Sequence, residues 1–261
     1  YLMTPHHLLI EEIESTLIVR INRPQVYNAL NAVAKSEIVK AIEYLHCSTQ
    51  LRCMILTGVG KAFCTGQDLN ERTNSEHMQD LGHTLESEWN PLVCAINNSS
   101  KPIITAINGV VAGAGLTVAL ASDFAFAPPQ NKFVAGFNKI GLASDAGTSY
   151  LFAKTLGYKR ALDFFLINDT LYSEDLEKFG LLTAVAADPF IIATEYAKKI
   201  ALLAPLSTQN IKRNLLGALA ASFSQTLEQE VKSQRQLGYT ADFKEGVLAF
   251  MEKRIPQFKG Y

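Results

Sequence analysis

The sequence predicts an α/β fold in which short strands alternate with helices and pair largely in parallel. Short apolar runs rich in Ile, Leu and Val recur along much of the chain and are typical of buried strands. Segments with apolar residues at helical spacing lie between them. Because strands and helices alternate in this way, parallel pairing is expected.

The predicted strands and helices follow in order. Residues 8–22 predict two strands that separate near Glu14, and Asn31 is placed to cap a helix that runs to Tyr44. Further strands are expected at 52–57, 103–107, 123–127 and 181–186. Further helices are expected at 115–122, at 146–156, and from Ile191 onward with a break at Pro205 and an end at Pro256. Since strands are expected only before Pro205, residues 1–204 and 205–261 are expected to form two parts.

Composition limits the functions that the chain can have. Of its 261 residues, 48% are hydrophobic and 19% are charged, which provides apolar material for a core and carries no signature of disorder. The net charge of −1 argues against a broad nucleic-acid surface, but not against a small anionic ligand. We expect no signal peptide and take Met3 as the natural start.

The cysteines and one long apolar segment indicate the cellular compartment and whether the chain crosses a membrane. Cys47, Cys53, Cys64 and Cys94 form neither a CxxC pair nor a zinc-type set, so we expect no metal, mostly apolar surroundings and a reducing cytoplasm. Residues 102–121 are long and apolar enough to cross a bilayer, but Gly, Pro and Asn interrupt them. A buried strand, loop and helix is therefore the favoured interpretation.

Two glycine-containing loops are candidate ligand sites. In residues 63–69, Gly66 lets the backbone approach a ligand closely, but the segment is also typical of a strand-to-helix connection capped by Asp68. Residues 108–115 open a helix, and its unpaired N–H groups favour an anion. Close packing through small residues is the other interpretation. A Rossmann site is excluded, because the third glycine and the following acid are missing.

A third segment, residues 141–148, carries Asp145 in an apolar setting before a helix. Its carboxylate is either a plain helix N-cap or a general base with a pKa raised by burial. The sequence contains no GxSxG elbow, HExxH motif or Walker loop. The histidines, His77 among them, are scattered and expected mainly at the surface. A Cys64–His83 pair has no support beyond proximity.

These segments, in this order and spacing, resemble the crotonase (enoyl-CoA hydratase/isomerase) superfamily over essentially the whole chain. The matching motifs are Asn22-Arg23-Pro24, Asn28-Ala29-Leu30-Asn31, the turn at residues 63–69, residues 101–115 and the ending Lys253-Arg254-Ile255-Pro256-Gln257-Phe258. Within the family, residues 63–70, 90–93, 112–115 and 241–247 are most similar to the branch of ring-epoxide and enoyl-CoA isomerases of phenylacetate breakdown.

The resemblance implies a spiral of repeated ββα units with a C-terminal helical trimerisation region. Residues 1–204 would be the core that binds a CoA thioester and catalyses, and residues 205–261 the oligomerisation region of a cytoplasmic homotrimer or dimer of trimers. The apolar stripe of Leu215, Leu219 and Phe223, at helical spacing, is expected in those contacts. Coenzyme A is expected as part of the substrate, in fatty-acid or phenylacetate metabolism, with no permanently bound cofactor.

The resemblance also implies an oxyanion hole formed by the backbone N–H groups of Gln67 and Ala114, with Asp145 as the acid–base residue. Two such donors stabilise the negative charge of a thioester enolate as it develops. Tyr27 is expected against the pantetheine or adenine, and Lys253 near a phosphate. The full set of expected substrate or CoA contacts is Gly66, Asp68, Leu69, Gly113, Tyr27, Ala29, Phe250 and Lys253.

The sequence departs from the hydratases at two positions, where Thr117 and Phe137 replace their two glutamates. A carboxylate lies instead at Asp145, where hydratases usually carry glycine. This is an isomerase-like arrangement, because one carboxylate can take a proton from one carbon and return it to another. Other hypotheses remain: a hydratase, an acyl-CoA dehalogenase with Asp145 as nucleophile, or a catalytically silent CoA-binding or RNA-binding scaffold.

Overall fold

The computed structural model describes residues 5–73 and 80–261. In these residues most strands lie in a six-stranded sheet with the order β1-β2-β3-β5-β7-β10. The pair β1–β2 is antiparallel and every other pair is parallel, so the predicted parallel pairing is confirmed. The strands of this sheet are β1 Leu8–Ile13, β2 Thr16–Ile21, β3 Cys53–Gly58, β5 Ile103–Ala106, β7 Phe124–Ala127 and β10 Ala184–Val185.

A second, four-stranded sheet has the order β4-β6-β8-β9 and was not predicted. Each of its strands has only 3 residues, too few to show an alternating pattern. These strands are β4 Ala62–Cys64, β6 Val110–Ala112, β8 Lys132–Val134 and β9 Thr170–Tyr172.

Successive strands alternate between the two sheets. The pairs β3–β4, β5–β6 and β7–β8 each contribute one strand to the large sheet and one to the small sheet, and a helix follows each pair. The chain therefore advances as a spiral of ββα units, as expected. The helices are α1 Ala32–Cys47, α2 Asn70–Thr73, α3 Leu81–Thr84, α4 Asn90–Asn97, α5 Gly115–Leu120, α6 Thr148–Leu156, α7 Tyr158–Asp163, α8 Ser173–Phe179, α9 Pro189–Ala201, α10 Pro205–Ala218, α11 Phe223–Leu237 and α12 Ala241–Glu252.

The large sheet is buried on both faces, which explains its continuous apolar strands. Along β3, Met54 and Leu56 join the main core with α1, α4 and α5, whereas Cys53 and Ile55 face the opposite side. Residues of β5, β7 and α9 form the second cluster on that side. Because side chains alternate along a strand, a single apolar run fills both cores.

The C-terminal region is helical after Pro205, but its expected apolar stripe is divided. Leu215 lies in α10, Leu219 just after it, and Phe223 begins the separate helix α11. The three side chains therefore do not share one helical face. All three are highly exposed, at 66%, 59% and 79%. The division into residues 1–204 and 205–261 as functional regions stays a prediction.

Several other expectations can be compared with the structure. Asn31 caps α1 by accepting a hydrogen bond from the amide of Ala34. Cys53 and Cys64 are buried, but Cys47 and Cys94 are exposed, contrary to the expected apolar setting. Residues 102–121 form a strand, a short strand and α5, and no helix in the described ranges is long and apolar enough to cross a membrane. Met3 and His77 lie outside the described residues.

Candidate active site

The turn after β4 is held against the segment before α1. The amide of Leu30 donates to the Gly66 carbonyl at 2.7 Å, and the amide of Asp68 donates to the Leu30 carbonyl at 3.1 Å. Gln67 lies between these two bonds, in a parallel bridge to Leu30. In such a bridge the flanking peptide groups make the hydrogen bonds, so the amide of Gln67 itself points away from Leu30.

The turn at Gly66 touches the start of α5. Gly66 has a φ of +87°, and a Cβ atom at this position would lie 3.1 Å from the Ala112 carbonyl oxygen and 3.2 Å from the Ala114 nitrogen. Gly115 is equally constrained, because a Cβ there would lie 2.4 Å from the Cys64 carbonyl oxygen. Close packing through glycine therefore brings the two loops together.

Two amide groups are free at this junction. Within residues 5–73 and 80–261, the N–H groups of Gln67 and Ala114 donate to no backbone or side-chain acceptor. Ala114 precedes the first residue of α5, where backbone donors have no partner in the helix. Two unpaired donors on adjoining loops can bind one oxygen that carries negative charge.

A buried ion pair supports the Gln67 turn from the other side. Arg23 contacts the Asp68 carboxylate at 2.7 Å and also donates to the Ala29 carbonyl. Burial alone would raise the pKa of Asp68, but its hydrogen bonds from Arg23 and Asn70 lower it below the ordinary value. The carboxylate of Asp68 and the carbonyl of Ala29 are thus engaged by the protein itself. Their expected contacts with substrate or CoA stay predictions.

Asp145 does not cap α6, so the N-cap interpretation is wrong. The cap residue is Gly147, and Asp145 offers its backbone carbonyl to the amide of Thr148 at 2.9 Å. The carboxylate oxygen Oδ1 is buried, with no hydrogen-bond partner in the described part of the chain. Burial raises the pKa of this carboxyl to about 6, against opposing effects of its own amide and Lys35.

The loop that carries Asp145 has an unusual backbone. Ala146 has a φ of +48° and Gly147 a φ of +84°. A left-handed conformation at alanine is unfavourable and persists only where the surrounding structure imposes it. The loop therefore holds the carboxyl at a fixed place at the start of α6.

The two positions that hold glutamates in hydratases are apolar or neutral here. Thr117 is buried in α5, and its Oγ1 has no hydrogen-bond partner among the described residues. Its methyl group would lie 3.8 Å from a Cβ at Gly147, so it adjoins the Asp145 loop. Phe137 is also buried, with its ring 6.2 Å from that of Phe165. Buried polar atoms without partners are rare in folded proteins, and a catalytic role is one explanation for them.

Four of the remaining expected contacts lie at the surface, and the fifth, Gly113, is half-buried. Leu69 and Tyr27 are 59% and 60% exposed, and Tyr27 has a φ of +52°. Gly113 has a φ of +54° with open space around its Cβ position. Phe250 is 85% exposed and lines a groove with α10 and α11, and Lys253 ends α12 in a left-handed conformation. No hydrogen bond or ion pair in the described ranges links Lys253 to the Gln67 turn, so its contact with CoA stays a prediction.

Sequence reasoning missed a buried cluster beside Gln67. Lys35 lies 1% exposed within the apolar face of α1, near Trp89 and Glu88. The signal was available: Lys35 is spaced three and seven residues from Ile38 and Ile42, both in the core. A lysine inside an apolar helical stripe predicts a buried partner for its charge, because lysine is almost never fully buried unless it is paired.

Comparison with known proteins agrees with this architecture. The sequence model of the enoyl-CoA hydratase/isomerase family matches residues 11–261. The chain is 34% identical to the 1,2-epoxyphenylacetyl-CoA isomerase of Escherichia coli (strain K12) over 251 residues, 95% of this chain and 96% of that protein. It is 29% identical to the 2,3-dehydroadipyl-CoA hydratase of the same organism over 255 residues, 97% and 98% of the two chains.

Solved structures show the same fold. The enoyl-CoA hydratase from Bacillus anthracis superposes with a TM-score of 0.92 at 25% identity, covering 98% of this chain and 100% of that one. The chain belongs to the enoyl-CoA hydratase/isomerase family, within the crotonase superfamily. The crotonase fold expected from the sequence motifs is thereby confirmed.

Proposed function

We propose that this chain is a CoA thioester isomerase in which Asp145 moves a proton between two carbons of the acyl group. The observation that carries the proposal is the Asp145 carboxyl, with its buried oxygen and a pKa of about 6. At neutral pH this group is mainly ionised, yet it is a far better proton acceptor than an ordinary aspartate. It can therefore act first as a base and then as an acid.

The proposed reaction needs a place for the enolate charge. The thioester oxygen would accept hydrogen bonds from the amides of Gln67 and Ala114, which are free at the junction of their two loops. Asp145 would remove a proton from the α carbon of a 3-enoyl-CoA, and the electron pair would pass to the oxygen. Return of that proton to the γ carbon would give the conjugated 2-enoyl-CoA, with no net uptake of protons or water.

The surroundings of Asp145 support isomerisation over hydration. Hydration would require a carboxylate to activate water, but Thr117 and Phe137 provide none. A cavity of about 300 Å³, lined by Phe137, Leu142 and Ser144 among others, lies beside the Asp145 loop, and Asp145 itself is not among its lining residues. Its apolar walls suit an aliphatic or aromatic acyl group. The Escherichia coli relative named 1,2-epoxyphenylacetyl-CoA isomerase supports including an aryl epoxide among the substrates.

A substrate panel tests this proposal. An aliphatic 3-enoyl-CoA and an aryl epoxide CoA are each incubated with the protein. Conjugation of the first is followed by ultraviolet absorbance and rearrangement of the second by chromatography. We expect turnover of at least one substrate without added cofactor. Hydration of 2-enoyl-CoA as the dominant activity, or no reaction with any member of the panel, would reject the isomerase.

A further inference from the structure

Lys35 is a buried cation next to the proposed oxyanion hole. Its side chain is 1% exposed, although α1 has a solvent-facing side where a lysine could lie freely. Moving a charged ammonium group from water into a protein interior has a free-energy penalty of roughly several kcal/mol. The contacts of Lys35 must therefore offset that penalty. They also indicate the role of this residue.

These contacts converge on the side chain of Gln67. The ammonium of Lys35 donates to Gln67 Oε1 at 2.9 Å, and the indole N–H of Trp89 donates to the same oxygen at 2.9 Å. Lys35 also forms an ion pair with Glu88 and lies 4.8 Å from the centre of the Trp89 ring. The ion pair and ring contact stabilise the buried charge.

The other end of the Gln67 amide is held as well. Its Nε2 donates to Glu71 Oε2 at 3.2 Å and, at 3.3 Å, to the carbonyl of Asp68. Glu71 in turn accepts from the amide of Ala32 at the start of α1. The side chain of Gln67 is thus fixed at both ends, between α1 and the turn that contains its own backbone.

The backbone of the same residue supplies a proposed oxyanion donor. A side chain fixed at both ends restricts rotation of the peptide group to which it is attached, and so the direction of the Gln67 N–H. Donors contribute most to catalysis when they already point at the developing charge, because they then need no reorganisation. A misplacement of about 1 Å can lower the rate by about 100-fold.

We propose that Lys35 is a positioning residue for the oxyanion hole, acting by fixing the side chain of Gln67 and through it the direction of the Gln67 amide. This inference rests on the proposed function, because it takes the Gln67 amide as a donor to the thioester oxygen. Lys35 touches no reacting atom. Its loss is expected to lower kcat and to leave binding of the CoA thioester nearly unchanged.

The charge of Lys35 also acts on neighbouring groups. It opposes the effect of burial on the pKa of Asp145 and of Cys64, although burial still raises the pKa of the Cys64 thiol to about 12. The thiol therefore stays neutral, and among the residues that the structure describes, Asp145, Glu88 and Glu71 are ionisable groups that interact with this cluster. Removing the Lys35 charge should raise the pKa of Asp145 and move the acidic limb of the pH–rate profile to higher pH.

A purely structural role for Lys35 predicts something different. If Lys35 only pairs with Glu88 to stabilise α1 against the Leu85–Trp89 turn that precedes α4, its replacement would lower the melting temperature without changing how bound substrate is polarised. Lys35→Met keeps the length and volume of the side chain and leaves no cavity. The Glu88 side chain is 28% exposed, but the Oε2 atom that pairs with Lys35 is buried, so Lys35→Met also leaves that oxygen without its cation and the melting temperature must be measured beside kcat.

A chromophoric ligand separates these roles without turnover. The long-wavelength absorption of 4-dimethylaminocinnamoyl-CoA moves to the red when its thioester oxygen accepts hydrogen bonds. We would compare the parent with Lys35→Met and with Gln67→Leu, which removes the held amide but keeps the backbone donor and the Lys35–Glu88 pair. Lys40→Met is the matched control, because Lys40 is an exposed lysine on the same helix.

The expected result is a red shift in the parent and in Lys40→Met, and less than half of it in Lys35→Met and Gln67→Leu. Dissociation constants for the probe should agree within about threefold, and kcat should fall about 10–100-fold in both variants. The double variant should have the same red shift and kcat as Gln67→Leu alone, because both substitutions remove the same contact between Lys35 and Gln67.

Two contrary results have different meanings. A full red shift in both Lys35→Met and Gln67→Leu would overturn the role of Lys35 and leave the proposed isomerase standing. If Lys35→Met does not fold, a full red shift in Gln67→Leu is sufficient to overturn the role of Lys35. Absence of any shift in the parent, with the probe bound, would overturn the oxyanion hole itself and the role of Lys35 with it.

Discussion

A Cβ atom on Gly66 would lie 3.2 Å from the amide nitrogen of Ala114. The two residues are far apart in the sequence, but the small sheet brings β4 and β6 side by side and their following loops into contact. This proximity joins the amides of Gln67 and Ala114 in one place. It also means that a side chain at Gly66 would crowd the second donor, which would have to shift by a few tenths of an ångström.

Gly66→Ala is therefore expected to impair catalysis more than stability. The methyl group would crowd the Ala114 amide, and loss of one oxyanion donor lowers the rate by about 10²–10³-fold. The measurement is kcat for the isomerisation, together with a melting curve. Gly180→Ala is the matched control, since Gly180 has a φ of +82° but open space around its Cβ position. Equal losses of activity in the two variants would show that backbone strain alone is responsible.

Asp145 should make the folded protein less stable as the pH rises. Its pKa is about 6 in the folded chain, above the ordinary value of 3.8, so the folded state holds the proton more tightly than the unfolded state. The folded state therefore loses stability between about pH 4 and pH 6 through this group, and the full loss is present above that range.

Asp145→Asn removes this titration and should raise the free energy of unfolding at pH 7 by about 1–2 kcal/mol, after allowance for partial exposure to solvent. Denaturant unfolding of the parent and the variant at pH 7 and pH 4 measures the effect. The gap between the two proteins should shrink at pH 4. A gap that is equal at both pH values would show that the folded-state pKa of Asp145 is not raised.

We expect little or no hydration of 2-enoyl-CoA. Thr117 and Phe137 carry no acid–base group where hydratases have glutamates, and Asp145 alone would have to activate the water. The measurement is formation of 3-hydroxyacyl-CoA by chromatography, at an enzyme concentration at which isomerisation is complete. Hydration at a rate comparable with isomerisation would contradict this assignment.

The exposed apolar residues of α10 to α12 should be covered in an oligomer. Leu215, Leu219, Phe223 and Phe250 are each more than half exposed, and large apolar patches of this kind mark interfaces. Light scattering at micromolar concentration is expected to give three or six times the chain mass of 28.7 kDa. A monomeric mass would rule out the trimer. Replacement of Leu215 and Leu219 by Glu should lower the measured mass if these residues form the contact.

Much of the fold could be predicted because local signals agree with the tertiary structure. β1 and β2 separate at Glu14, which has a φ of +54°, and Asn31 caps α1 as its side chain allows. The small sheet could not be predicted, since strands as short as β6 depend on pairing with distant neighbours. The stripe after Pro205 was misjudged because the break between α10 and α11 contains no proline, and its one sequence signal, the capping box of Ser222 and Gln225 that starts α11, was overlooked.

The candidate site was predictable in its loops but not in its supporting contacts. Glycine positions and the apolar setting of Asp145 indicated where ligand and carboxylate could meet. The cap interpretation of Asp145 failed because Ala146 and Gly147 turn the chain before the helix begins. The Lys35–Gln67 contact joins residues 32 positions apart, and pairings at that distance leave no local pattern.

The most direct test of the account is isomerisation by Asp145→Asn. With a 3-enoyl-CoA at pH 8, where the parent carboxyl is ionised, kcat should fall by about 10²–10⁴-fold, the typical contribution of a general acid–base group. Binding of a saturated acyl-CoA should stay within about threefold of the parent, because the amides of Gln67 and Ala114 are untouched. Activity within a few-fold of the parent, in a variant that binds the thioester normally, would contradict the role of Asp145 and with it the proposed mechanism.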